Sequence, residues 1–70
     1  MTADRATQSQ ITQASQMLAS VLFTPTERMR WMRELATMTR FEARDAITYI
    51  AKDLQRRERE RDQGQQEDAA

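Results

Sequence analysis

The side chains of this chain that have the means to do chemistry are carboxylates and guanidinium groups. Its 70 residues hold 11 Lys plus Arg and 11 Asp plus Glu, with no cysteine and no histidine. Nucleophilic catalysis and tuned acid–base catalysis therefore have little to draw on. The two best-placed carboxylates are Glu27 and Glu42, and each stands three residues after a threonine, in Thr24-Pro25-Thr26-Glu27 and Thr39-Arg40-Phe41-Glu42. That spacing is a capping box, in which the threonine hydroxyl accepts the amide of the third helical residue and the glutamate reaches back to the threonine amide. Both carboxylates are thereby assigned to starting helices. The chain is read as a non-enzyme with no catalytic residue.

Cofactor and metal chemistry fare no better. A single glycine cannot build a phosphate-cradling loop, and no cofactor is expected. A metal would depend on Glu and Asp alone, and Glu42 with Asp45 at i, i+3 is a common surface pattern, so no metal site is expected. The arginines raise a sharper question. Arg40, Arg44 and Thr48 fall early on the third expected helix, where a helix-turn-helix protein places its base-contacting residues, and Arg28, Arg30 and Arg33 are positioned to meet phosphates. Glu42 and Asp45 share that helix end and would repel a phosphate backbone, while the expected link of one or two residues is short and lacks glycine. Residues 27–61 carry ten basic against seven acidic residues, and residues 62–70 carry three acids and no base. A surplus of that size is a weak field beside the footprint of a dedicated nucleic-acid binder. Aromatic and arginine side chains dominate protein–protein hot spots, which makes Trp31, Tyr49, Arg30 and Arg33 the candidate partner-binding residues. Phe41 is expected to pack against the first helix and the corner before the third.

The elements that must position these residues are helices. Residues 1–6 read as a flexible arm. From Thr7, Ile11, Ala14, Leu18, Val21 and Leu22 recur at three and four, which predicts a first helix over about 7–22 with an uncharged Gln/Ser/Thr outer face. Thr24 and Pro25, the latter at the first helical position, start a second helix over about 25–37, with Met29, Met32, Leu35 and Ala36 on its buried side and Trp31 at the edge. Thr39 starts a third over about 40–62. Its stripe Ala43, Ile47, Ile50 and Leu54 packs inward, and the register then runs onto Arg57 and Arg61. The segment from Gln55 is accordingly read as a solvated extension, held by pairs such as Asp53 with Arg57 and Arg56 with Glu60. Residues 63–70 read as a disordered acidic tail.

The string Met38-Thr39-Arg40-Phe41-Glu42-Ala43-Arg44-Asp45-Ala46-Ile47, preceded by Thr7-Gln8-Ser9-Gln10-Ile11 and Leu18, resembles a short helical module of uncharacterised function. Its pattern is a Thr-x-x-Gln helix followed by Leu/Met-Thr-x-x-Glu-Ala-x-x-x-Ile, and it is seen in actinobacterial and phage proteins and appended to some DNA-processing proteins. The resemblance covers the first helix and the cap of the third, about half the chain. It implies a helical fold and no catalytic or ligand residue, and the segment TPTERMRWMREL departs from the usual middle of the module.

The sequence thus predicts an all-α three-helix module whose core is small for its length and whose methionines suit an adaptable surface. It is expected to self-associate, as a dimer, and to act as a protein-interaction or regulatory accessory factor, with a link to nucleic-acid transactions. The second reading is a dimeric helix-turn-helix-like DNA-binding protein working through Arg40, Arg44 and Thr48. No membrane partner is expected, since no run of about 18 apolar residues occurs, and the cytoplasm is the expected compartment for a chain without cysteine.

Overall fold

Each helix begins at a threonine. The computed structural model describes residues 4–69, and the side chains of residues 4–63. They form α1 (Gln8–Leu18), α2 (Pro25–Leu35) and α3 (Arg40–Ala69). The two expected capping boxes are both closed. The Thr24 hydroxyl accepts the Glu27 amide at 3.1 Å and Glu27 accepts the Thr24 amide at 2.8 Å, and the Thr39/Glu42 pair repeats this at 3.1 and 2.9 Å. A third box, beyond the two expected, opens α1. There the Thr7 hydroxyl accepts from Gln10 and the Gln10 side chain accepts the Thr7 amide, at 3.1 and 3.0 Å. Replacing Thr24 or Thr39 with alanine is expected to lower stability by about 1 kcal/mol each. Urea denaturation measures it, and an unmoved midpoint in both variants would refute these helix starts.

The helix ends differ from expectation. α1 stops at Leu18 rather than near residue 22, where its last carbonyl is taken from outside the helix: the Arg28 guanidinium donates to the carbonyl of Leu18 at 3.2 Å and to that of Ser20, in the turn beyond, at 3.4 Å. The Ser20 hydroxyl accepts the Leu22 amide, and the chain turns so that Phe23 enters the core while Val21, expected on the inward stripe, is 88% exposed. α2 ends at Leu35 rather than 37. Its last turn tightens, with Thr37 and Met38 amides donating to carbonyls three residues back. The link to α3 is therefore four residues, Ala36–Thr39, instead of one or two. α3 continues helically past residue 62 to Ala69, since Gly64 costs only about 1 kcal/mol in a helix interior and no proline forces a stop. Residues 1–3 of the expected arm and the side chains of the expected tail from residue 64 lie outside the described residues.

The helices run up, down and up. Gln10 on α1 reaches the Arg40 carbonyl at the start of α3, Leu22 after α1 reaches Arg57 far along α3, and Glu27 at the start of α2 also meets Arg57. α1 packs against both other helices. Between them lie Ala14, Leu18, Phe23, Leu35, Ala43, Ala46, Ile47 and Ile50, with Met17, Trp31, Met32, Met38 and Leu54 around the margin. On α2 the inward side is centred on Arg28, Trp31, Met32 and Leu35, so Met29 at 64% exposure and Ala36 face out, contrary to the sequence reading. The rotation places Arg28 against the end of α1 and Trp31 over the seam with α3. Asp4–Ala6 lie antiparallel to the α2–α3 corner: Arg5 bridges Thr39, the Ala6 amide donates to the Met38 carbonyl at 3.0 Å, and the Arg40 amide donates to the Asp4 carbonyl. Beyond Arg57, α3 leaves the bundle, and the molecule is 58 Å long but 19 and 14 Å across.

Candidate interaction surface

The surface is organised by a residue that the sequence reading placed in solvent. Arg57 is only 23% exposed, and its guanidinium donates to both carboxylate oxygens of Glu27 at 3.0 and 2.6 Å, to the Leu22 carbonyl at 2.7 Å, and lies 3.2 Å from Asp53. It also stacks over the Phe23 ring at 4.5 Å from the centroid. The stripe Ala43, Ile47, Ile50 and Leu54 therefore does continue inward onto Arg57. What it meets is a carboxylate, a carbonyl and an aromatic face rather than an apolar side chain, and a planar fork of donors suits that set better than an ammonium. The expected pairs Asp53 with Arg57 and Arg56 with Glu60 are both formed, and Asp53 also accepts from Arg56.

These contacts make Glu27 do two jobs. It closes the α2 cap and clamps α3. The hydrogen bond from Arg57, followed by that from the Thr24 amide, lowers its pKa from 4.5 to about 2. Asp53 is shifted in the same direction, first by Arg56 and then by Arg57. A carboxyl with a lowered folded-state pKa stabilises the fold above its unfolded value and loses that contribution as pH falls toward the folded value. Acid titration of the melting temperature is thus expected to fall between about pH 4.5 and about pH 2. Glu27→Gln is expected to flatten that part of the profile, and an unchanged profile in the variant would show that the clamp is not formed.

One step along the same seam, Trp31 of α2 and Tyr49 of α3 meet with ring centroids 5.8 Å apart and planes tilted by 44°. Trp31 is partly buried against the core margin, whereas Tyr49 is 61% exposed. A shallow groove joins them to Glu27, Arg30, Glu34, Asp53 and Arg57. Arg30 and Glu34 are shared with a second hollow on α2, lined also by Thr26, Met29 and Arg33. Three of the four candidate partner-binding residues, Trp31, Tyr49 and Arg30, are therefore brought to one groove, and Arg33 lies one turn along beside it. Lys52 joins from α3, next to Tyr49. Arg30, Arg33 and Lys52 form no ion pair among the described residues, while the carboxylates of Glu27 and Asp53 are engaged by arginine.

The candidate DNA-contacting residues lie elsewhere, near the start of α3. Arg40 sits over the Phe41 ring at 5.4 Å, so Phe41, expected to be packed, is instead 57% exposed beneath a cation. Arg44 lies 3.9 Å from Asp45, and the Thr48 hydroxyl donates to the Arg44 carbonyl at 3.1 Å. The sequence reading missed Arg57, Glu27 as a clamp, and Lys52. The available signal was the register of the inward stripe, which led from Leu54 to Arg57 and marked that arginine as facing the bundle.

No known protein family, no curated protein and no solved structure matches this chain. Among the described residues no helix is long and apolar enough to cross a membrane, and no group of three or more acidic side chains is placed to hold a metal ion.

Proposed function

We propose that this chain is a small non-enzymatic protein-interaction module of the cytoplasm, a regulatory accessory factor that binds a protein partner through the α2–α3 seam. The observation that carries this reading is the Trp31/Tyr49 pair: one ring is anchored at the core margin, the other is largely open to water, and Arg30 and Arg33, without an ion pair among the described residues, stand beside them. An anchored aromatic pair with an arginine rim loses little side-chain entropy on binding, and such groups dominate interface energetics. Self-association as a dimer belongs to the same reading, since Val21, Met29 and Phe41 leave further large apolar side chains in water.

Tyr49→Ala is the clean test, because an exposed side chain is removed and the fold is left in place. Binding to a captured partner is expected to weaken at least tenfold in Tyr49→Ala and in Trp31→Ala, and to fall only modestly between about 50 and 200 mM salt, as a few exposed rim charges would have it. Undiminished binding in Tyr49→Ala would overturn the assignment. Sedimentation velocity across protein concentrations measures the dimer.

The four-residue α2–α3 link favours a second reading, a dimeric helix-turn-helix-like DNA binder using Arg40, Arg44 and Thr48, since that is the turn length such proteins use. Against it, α2 and α3 lie side by side in opposite directions, and the Thr48 hydroxyl is already committed to its own helix. DNA binding would fall steeply over the same salt range and would be lost in Arg40→Ala/Arg44→Ala.

A further inference from the structure

The groove beside Trp31 and Tyr49 has a charge pattern that specifies its occupant. Its floor is aromatic. On the α2 side stand Arg30 and Arg33, and on the α3 side stands Lys52, all exposed and without an ion pair among the described residues. The nearby carboxylates do not cancel them: Asp53 is held by Arg56 and Arg57, Glu27 is held by Arg57, and Glu34 alone remains open. The outer side of α1 is different in kind, because its outward side chains are Gln8, Ser9, Thr12, Gln13, Ser15 and Gln16, with no charge at all. An open cationic rim thus stands beside the aromatic rings, whereas the arginines at the start of α3, Arg40 and Arg44, share their helix end with Glu42 and Asp45.

We propose, building on the interaction reading above, that the partner segment is an acidic amphipathic helix lying along the α2–α3 seam. Two antiparallel helices with α1 on one side leave the other side as the seat of a fourth helix, and helix packing fills such a groove with side chains at i, i+3, i+4 and i+7. Carboxylates on both flanks of that apolar strip meet Arg30 and Arg33 on one side and Lys52 on the other, as flanking charges do in paired helices. The segment 62–70 of a second copy of this chain has three acids but no large apolar residue, so it supplies charge without anything to fill the aromatic floor. A nucleic-acid strand repeats phosphate at every residue and would set charge against Glu34, whereas a peptide places its acids at discrete positions.

Selection of a displayed library of randomised helix-length peptides on the full-length protein, with counter-selection on Tyr49→Ala, tests this directly. Enriched peptides are expected to be net acidic with apolar residues at helical spacing. A synthetic representative is expected to shift the emission of Trp31, the single tryptophan, and to bind about tenfold more weakly to Arg30→Ala/Arg33→Ala. Basic or uncharged peptides enriched in a Tyr49-dependent way would overturn the acidic helix and leave the docking surface standing. Failure of any peptide to enrich over the Tyr49→Ala background would overturn the docking surface itself. A thymidine oligonucleotide bound in a Tyr49-dependent way, with no peptide enriched, would replace the protein partner with single-stranded nucleic acid.

Discussion

Leu18→Ala and Ile50→Ala are each expected to remove about 3 kcal/mol of stability, the cost of emptying a fully buried aliphatic site that relaxes only in part. Both side chains have no exposed surface, and they come from the two helices that share most of the core, α1 and α3. A domain of this length has on the order of 4 to 10 kcal/mol in total, so either change is expected to lower the melting temperature by roughly 10 to 20 °C and to leave a measurable unfolded population at ambient temperature. Val21→Ala is the control. Val21 continues the same apolar spacing but is 88% exposed, and its replacement is expected to stay within about 0.5 kcal/mol of the parent. Equal losses at Leu18 and Val21 in urea denaturation would mean that α1 continues to residue 22 and that the turn into Phe23 is wrong.

Arg57→Ala is expected to have the next largest effect, on the order of 2 kcal/mol. The change strands the Leu22 carbonyl, uncovers the Phe23 ring and leaves Glu27 without its bidentate partner. The site is partly open, so the loss falls below that of breaking a fully buried ion pair. Arg57→Lys keeps the charge but not the fork, and it is expected to recover less than half of the stability. Because Glu27 and Arg57 act on one another, Glu27→Gln combined with Arg57→Ala is expected to cost less than the two changes added separately. Arg59→Ala, two residues further along the exposed part of α3, sets the baseline. An Arg57→Ala variant no less stable than Arg59→Ala would remove the clamp, and with it the support for the adjoining Trp31/Tyr49 seam.

The number of helices, their order and their starting residues were all legible from the sequence. A capping box is a local device: hydroxyl, amide and carboxylate lie within three residues, so Thr24/Glu27 and Thr39/Glu42 declare themselves without reference to the rest of the chain, and Thr7/Gln10 is written in the same way. The inward stripe of α3 was equally legible, since Ala43, Ile47, Ile50 and Leu54 share one side of a helix whatever they pack against. Trp31 and Tyr49 were recognisable as candidates by residue type, but their contact across two helices was not.

What the tertiary structure alone decided is where helices stop and which side chains are wet. α1 ends where Arg28, ten residues on, takes the Leu18 carbonyl. Arg57 is a clamp because Glu27, thirty residues earlier in the chain, comes to rest opposite it. Val21, Met29 and Phe41 stand in water, and Phe23 does not, because of what the neighbouring elements cover. Periodicity records which residues share a side of one helix. Burial and pairing depend on a second element brought close by the fold, and spacing within a single element carries no record of it.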